Sequence, residues 1–146
     1  MAITRIGKGF EFGDTQRQFE AFKINAPKAV ANNSKNWFLE GFRKGGGQTD
    51  DSKTGWEPRK SNAKRNTGRN ILVDTGALRR SIQVISQTWS RIEIGTQRIM
   101  YADRHNEGLT DNRGREMPKR EFIGNSKEMN SSNEKLLSKM IRGIFK

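Results

Sequence analysis

Residues 71–82 read Ile71-Leu72-Val73-Asp74-Thr75-Gly76-Ala77-Leu78-Arg79-Arg80-Ser81-Ile82, and the reading of this stretch decides the fold. A brief apolar run gives way to an acid, a hydroxyl residue and a glycine. Asp74 is placed to cap a short helix from Thr75 to Ser81, its carboxylate accepting from the free amides of the first turn. That helix delivers Leu78 and Ile82 to one side, because residues four apart share a helix face. After it, Ile82, Val84 and Ile85 in residues 82–87, and Ile92 and Ile94 in residues 91–95, carry the alternation of half-buried strands. Thr88-Trp89-Ser90 between them predicts a hairpin. Two strands are not stable alone, so other elements must cover them.

Those elements lie at the two ends of the chain. From Asp14 the pattern turns helical. Phe19 and Phe22 lie three apart, and Val30, Ser34, Trp37, Phe38 and Phe42 follow one apolar helix face. The spacing predicts a helix over 15–44, kinked or broken near Pro27 and stopped by Gly45-Gly46-Gly47. Residues 1–13 read as a loose arm. At the other end, Ser131-x-x-Glu134 has the form of a capping box, and Leu136, Leu137, Met140, Ile141 and Ile144 make one apolar stripe. Ile99 to Gly108 reads as a short helix or turn, 109–117 as a polar loop, and Glu121-Phe122-Ile123 as a further strand. The expected fold class is α+β in a single domain over 1–146. A long N-terminal helix and a C-terminal helix pack on a small antiparallel sheet, with a long basic loop over 45–70.

Composition narrows the function. The net charge is +12, and Leu, Ile, Val and Phe supply only 29 of 146 residues. A chain so charged and so poor in core formers is expected to lean on other subunits and on an acidic partner. The absence of cysteine rules out disulfides and cysteine-based zinc sites. No stretch approaches the ~18 apolar residues of a membrane span. Residues 1–13 lack the apolar centre of a secretory signal, so a soluble protein made in a cytoplasm is expected.

Several short motifs carry competing readings. Leu72-Val73-Asp74-Thr75-Gly76-Ala77 resembles the active-site strand of retroviral-type aspartic proteases, in which two subunits each give one Asp to a shared water. The helical turn that follows, and the long helices at both ends, favour Asp74 as a cap instead. His105 is the single histidine. Asp103 and Glu107 flank it, but residues two apart on a helix diverge, so a structural role outweighs metal binding. The glycines at 45–47 lack the Gly-Lys-Ser/Thr of a phosphate loop. No cofactor is expected. The cations Arg59, Lys60, Lys64, Arg65 and Arg69 sit in a stretch without acids. They face either DNA phosphates, with strong salt dependence, or solvent beside acidic neighbours in an assembly. Trp56, the one large apolar residue before them, is expected to anchor an interface as the loop orders on docking.

Four pieces taken in order carry a resemblance. Gly55-Trp56-Glu57-Pro58 is followed by residues 71–82, then Ile94-Gly95 and Tyr101-Ala102-x-x-His105-x-x-Gly108. The last is Pro118-Lys119-Arg120-Glu121-Phe122-Ile123-Gly124-Asn125-Ser126. Together they resemble the phage virion morphogenesis, or tail-completion, proteins of tailed bacteriophages, over roughly 15–145. The sequence departs from the pattern at Glu121, where the family carries a second proline. The resemblance implies a non-enzymatic structural subunit at the head–tail junction (the neck, or connector) or at the tail end. It would form a ring with other copies of itself, six in number, beside connector, tail-terminator or tail-tube proteins and passing DNA. It would be assembled in the bacterial cytoplasm and reside in the virion. In that reading Asp74, Gly76, Leu78, Tyr101, His105, Gly108, Pro118, Phe122 and Gly124 are fold determinants, not catalysts. The alternatives are a basic nucleic-acid-binding protein acting alone and, further off, the aspartic protease.

Overall fold

The protein's structure, a computed structural model, describes residues 12–59 and 68–145. The opening helix α1, Phe12–Lys44, runs 33 residues without interruption. It starts two residues inside the expected arm, and the expected break at Pro27 does not occur. Pro27 and its neighbour Ala26 are both buried, so packing offsets the one backbone hydrogen bond that proline removes. α1 ends as expected at the glycines. The amides of Gly45 and Gly46 both turn back to the Gly41 carbonyl, at 2.8 Å each.

The chain then crosses the end of α1 through a single 3-10 turn, Asp50–Ser52. The first part of the expected loose loop is in fact tied down. Thr49 is 1% exposed, the Trp37 indole donates to the Gln48 carbonyl at 2.8 Å, and the Trp56 amide donates to the Gly45 carbonyl at 2.7 Å. A Cβ on Gly46 would stand 2.7 Å from the Trp56 amide nitrogen, and Gly46 sits at φ +106. Only glycine lets the two backbones meet this closely.

A short helix α2, Ala77–Ser81, leads into the hairpin of β1, Ile82–Gln87, and β2, Ile92–Thr96, which pair antiparallel as the alternation predicts. The register slips between Val84 and Ser86, leaving Ile85 as a bulge that lies over Gly95. The turn closes through Thr88 and Arg91, and its Trp89 meets the Phe22 ring edge-on at 5.6 Å. Then come α3, Ala102–Glu107, and α4, Lys127–Ile144. α4 begins five residues earlier than the capping-box spacing suggests. Ser126 is its cap, accepting from the Met129 amide at 3.2 Å. Residues around the expected cap instead bind α1: the Asn33 amide donates to Asn133 Oδ1 at 2.7 Å, and the Asn133 amide donates to Ser34 Oγ at 2.9 Å.

The architecture is the expected α+β arrangement, with α1 in contact with both the hairpin and α4. The core is small and lies at the C-terminal end of α1. Phe42, Trp56, Leu78, Ile82, Ala102 and Phe122 form it. Phe42 packs its ring between Trp56, 5.4 Å away, and Phe122, 5.6 Å away. α4 buries none of its residues fully, so its stripe of Leu137 and Ile141 leaves apolar surface beside Phe19 and Trp89.

Candidate functional site

Motif residues Asp74, Gly76, Leu78, Tyr101 and His105 come together in one cleft of about 480 Å³, walled by Leu72 and residues 74–78, by Tyr101 at the start of α3 and His105 within it, and by Arg59 and Arg120. Each wall has a local cause. Leu72 is held at φ 60, a left-handed backbone that costs a non-glycine residue ~1–2 kcal/mol, and it turns the chain into residues 73–76. α2 does not start from Asp74. Its cap position is Gly76 at φ 78, without a side-chain cap bond, and Thr75 Oγ1 accepts from the Ala77 amide at 3.3 Å. Asp74 is exposed and pairs with Arg69 at 2.5 Å. The capping role expected of it is therefore corrected: the left-handed turn at Gly76 moves the helix start beyond its reach. Asp74→Asn is expected to keep stability within about 1 kcal/mol, the range of exposed ion pairs. Thermal melts of both proteins check it. A peptidase activity lost in the variant would revive the protease reading.

Tyr101 and His105 lie one turn apart, rings perpendicular at 5.7 Å. α3 then stops at Gly108, whose φ of +71 and whose approach to Lys119 exclude a side chain. A Cβ there would lie 2.9 Å from the Lys119 amide nitrogen. That contact sets the segment after Pro118 against α3. The Arg120 amide donates to the His105 carbonyl at 2.8 Å, and the Arg120 side chain, 8% exposed, donates to the carbonyls of Glu57 and Pro58 at 2.9 and 3.2 Å. Phe122 enters the core. The strand expected over 121–123 is absent, because the side chain of Asn106 takes the place of a partner strand. Its Oδ1 accepts from the amides of Phe122 and Ile123 at 3.0 and 3.1 Å, and its amide donates to the Ile123 carbonyl at 3.0 Å. Gly124 leaves room for the Glu121 side chain, which accepts from Thr49 Oγ1 at 2.9 Å. The residue that departs from the family pattern is thus tied into this chain's own loop.

Trp56 does not wait for a partner. It is 6% exposed, and its indole donates to the Glu121 carbonyl at 3.0 Å. The small core needs its ring, so its expected role as an interface anchor is corrected. Arg59 donates to the carbonyls of Asn70 and Val73 at 2.7 and 3.0 Å. With the Arg69–Asp74 pair it braces the strand of chain entering α2. Lys60, Lys64 and Arg65 lie outside the described residues. The polar loop organises itself around Asp111, whose carboxylate accepts from the amides of Arg113 and Arg115 and from the Arg115 guanidinium. Those bonds, first from Arg115, hold it below the usual carboxylate range.

Sequence reasoning did not single out Arg120 or Asn106. Both stand inside the quoted motif segments, so proximity to Pro118 and to His105 was the available signal. His105 is half-buried and its Nδ1 finds no hydrogen-bond partner among the described residues. Burial first, and the charge of Arg120 second, push its imidazole below the ordinary value near 6.5. The unfolded chain therefore takes up this proton before the folded one. Stability from this group is full above about pH 6.5 and falls as pH drops through that value toward the lower folded pKa. His105→Gln is expected to flatten this part of the pH dependence, read as urea midpoints on either side of pH 6.5. An unchanged slope would overturn it.

Among the described residues no group of three His, Asp or Glu side chains could hold a metal ion, and no helix is long and apolar enough to cross a membrane. The cleft offers guanidinium groups, one neutral imidazole and one paired carboxylate, a set suited to binding an anion. The profile of the phage virion morphogenesis family matches residues 45–142, the span that holds the whole cleft. Comparison with curated proteins and with solved structures gives no match. The motifs in their order, the cleft they build and the family profile over two thirds of the chain agree, and the chain belongs to the phage virion morphogenesis family.

Proposed function

We propose that the protein is a non-enzymatic structural subunit that completes the tail or joins head to tail, acting as a ring of its own copies at the neck or tail end of the virion. The observation that carries this reading is the family match over 45–142, together with the use its motif residues are put to. Leu78, Phe122, Gly108 and Gly124 serve packing and close backbone approach, and Asp74 is spent on Arg69. The surface supports self-association. Phe12, Ile24, Trp89, Met100 and Phe145 are each more than half exposed, more apolar surface than an isolated subunit of this charge benefits from showing to water. Head-to-tail contacts that close by rotation produce a ring, with connector, tail-terminator or tail-tube proteins as its neighbours and DNA passing through.

Quantitative mass spectrometry of purified virions tests this. About six copies per particle are expected for a closed ring at a single axial position, and phage lacking the gene should yield heads and tails that fail to join. One copy per particle, or none, would overturn the ring.

A further inference from the structure

The cleft holds positive charge that the subunit does not neutralise. Among the described residues the Arg59 and Arg120 side chains each donate to two backbone carbonyls, and neither has a carboxylate partner within ion-pair distance. Burial is the largest effect and disfavours the Arg120 charge; the Glu57 carboxylate opposes it without pairing with Arg120, and Arg59 adds a smaller repulsion. Segment 60–67 contains no Asp or Glu. The one carboxylate lining the cleft, Asp74, already belongs to Arg69. His105 adds a buried nitrogen with no partner. Buried guanidinium groups are stable when a carboxylate or phosphate meets their fork of N–H donors.

We propose that this cleft takes a carboxylate side chain from an acidic segment of a partner protein. The proposal names the partner chemistry within the assembly reading and rests on that reading for the partner being a virion protein. Size and lining select this occupant. About 480 Å³ lies within the range of small-ligand pockets. Leu72, Ala77, Leu78 and the Tyr101 ring offer apolar walls to the methylene stem of an Asp or Glu. A duplex phosphate brings no such stem and stands on a ridge too broad to enter a recess. The chain's +12 charge favours an acidic partner over another copy of itself at long range.

The test uses the full chain and the peptide acetyl-Gly-Leu-Glu-Leu-Gly-amide, followed by NMR at low salt. Saturable movement of the His105 ring and of the Arg59 and Arg120 Nε–H signals is expected, and the peptide with Gln in place of Glu should leave them still. Because Arg120 also holds the fold, the variants are placed at the walls. Ala77→Glu puts a carboxylate at the first position of α2, where the helix tolerates it, and should weaken peptide binding by about tenfold through occupancy and like charge. Asp74→Asn removes a competing charge at the rim and should tighten it. The proposal is overturned if the Gln peptide binds equally, if Ala77→Glu binds as well as the wild type, or if a short DNA duplex moves these signals while the peptide does not. None of these outcomes depends on copies counted in virions, so failure here and failure of the ring reading are read separately.

Discussion

Phe42→Ala is expected to remove about 3–5 kcal/mol of folding stability, the range for deleting a fully buried phenylalanine. Phe42 is 0% exposed and stands where three distant parts of the chain meet: the end of α1, the loop carrying Trp56, and the segment carrying Phe122. Alanine would leave a cavity whose walls cannot readily close in, because the Trp56 ring is held by its indole bond to the Glu121 carbonyl and Phe122 by its backbone amide bond to Asn106. A domain typically has ~5–15 kcal/mol in all, so the variant should be close to unfolding at physiological temperature. Urea denaturation of wild type and variant gives the number. Ile85→Ala, at the 53% exposed bulge, serves as the contrast and should stay within about 0.5 kcal/mol. A loss at Phe42 below about 1.5 kcal/mol, half the low end for such a deletion, would mean that the three-ring contact does not organise the core.

The second large effect is expected at Asn106. Asn106→Ala should cost about 3 kcal/mol, because it strands two backbone donors and one acceptor in a partly buried place, and each unsatisfied buried group costs ~1–3 kcal/mol. The donors are the amides of Phe122 and Ile123, and the acceptor is the Ile123 carbonyl. The loss should be local in its dynamics as well. Amide exchange at residues 122 and 123 should accelerate more than exchange in the hairpin, since the hairpin keeps its own ladder. Equal acceleration at both places would show that Asn106 acts on the whole domain and not on this one segment.

The two positions differ in how far the sequence announced them. Phe42 stood on the apolar face of an evident helix, and the hairpin, the α3 stop at Gly108 and the tail helix were equally readable. In each case local periodicity or a residue with a forced backbone geometry settles the element before any tertiary contact is made. The order of motifs around Trp56, Leu78, Tyr101 and Pro118 likewise carried the family. Asn106 carried no such mark, because an asparagine between His105 and Glu107 has no period of its own. Its value comes from Phe122 and Ile123, sixteen and seventeen residues later.

The same distinction separates the remaining features. Sequence alone determined the helix ends at glycine, the strand pairing and the positive charge, since these follow from backbone sterics, side-chain alternation and composition. Tertiary structure alone decided that α1 passes unbroken through Pro27, that Trp56 is spent in the core, and that Asp74 pairs with Arg69 instead of capping α2. It also decided that Arg59 and Arg120 meet in one cleft whose lining carboxylate, Asp74, pairs with Arg69 and not with either of them. Each of these outcomes is a competition between a local preference and burial against residues far away in the chain, and only the folded arrangement supplies the second side of that competition.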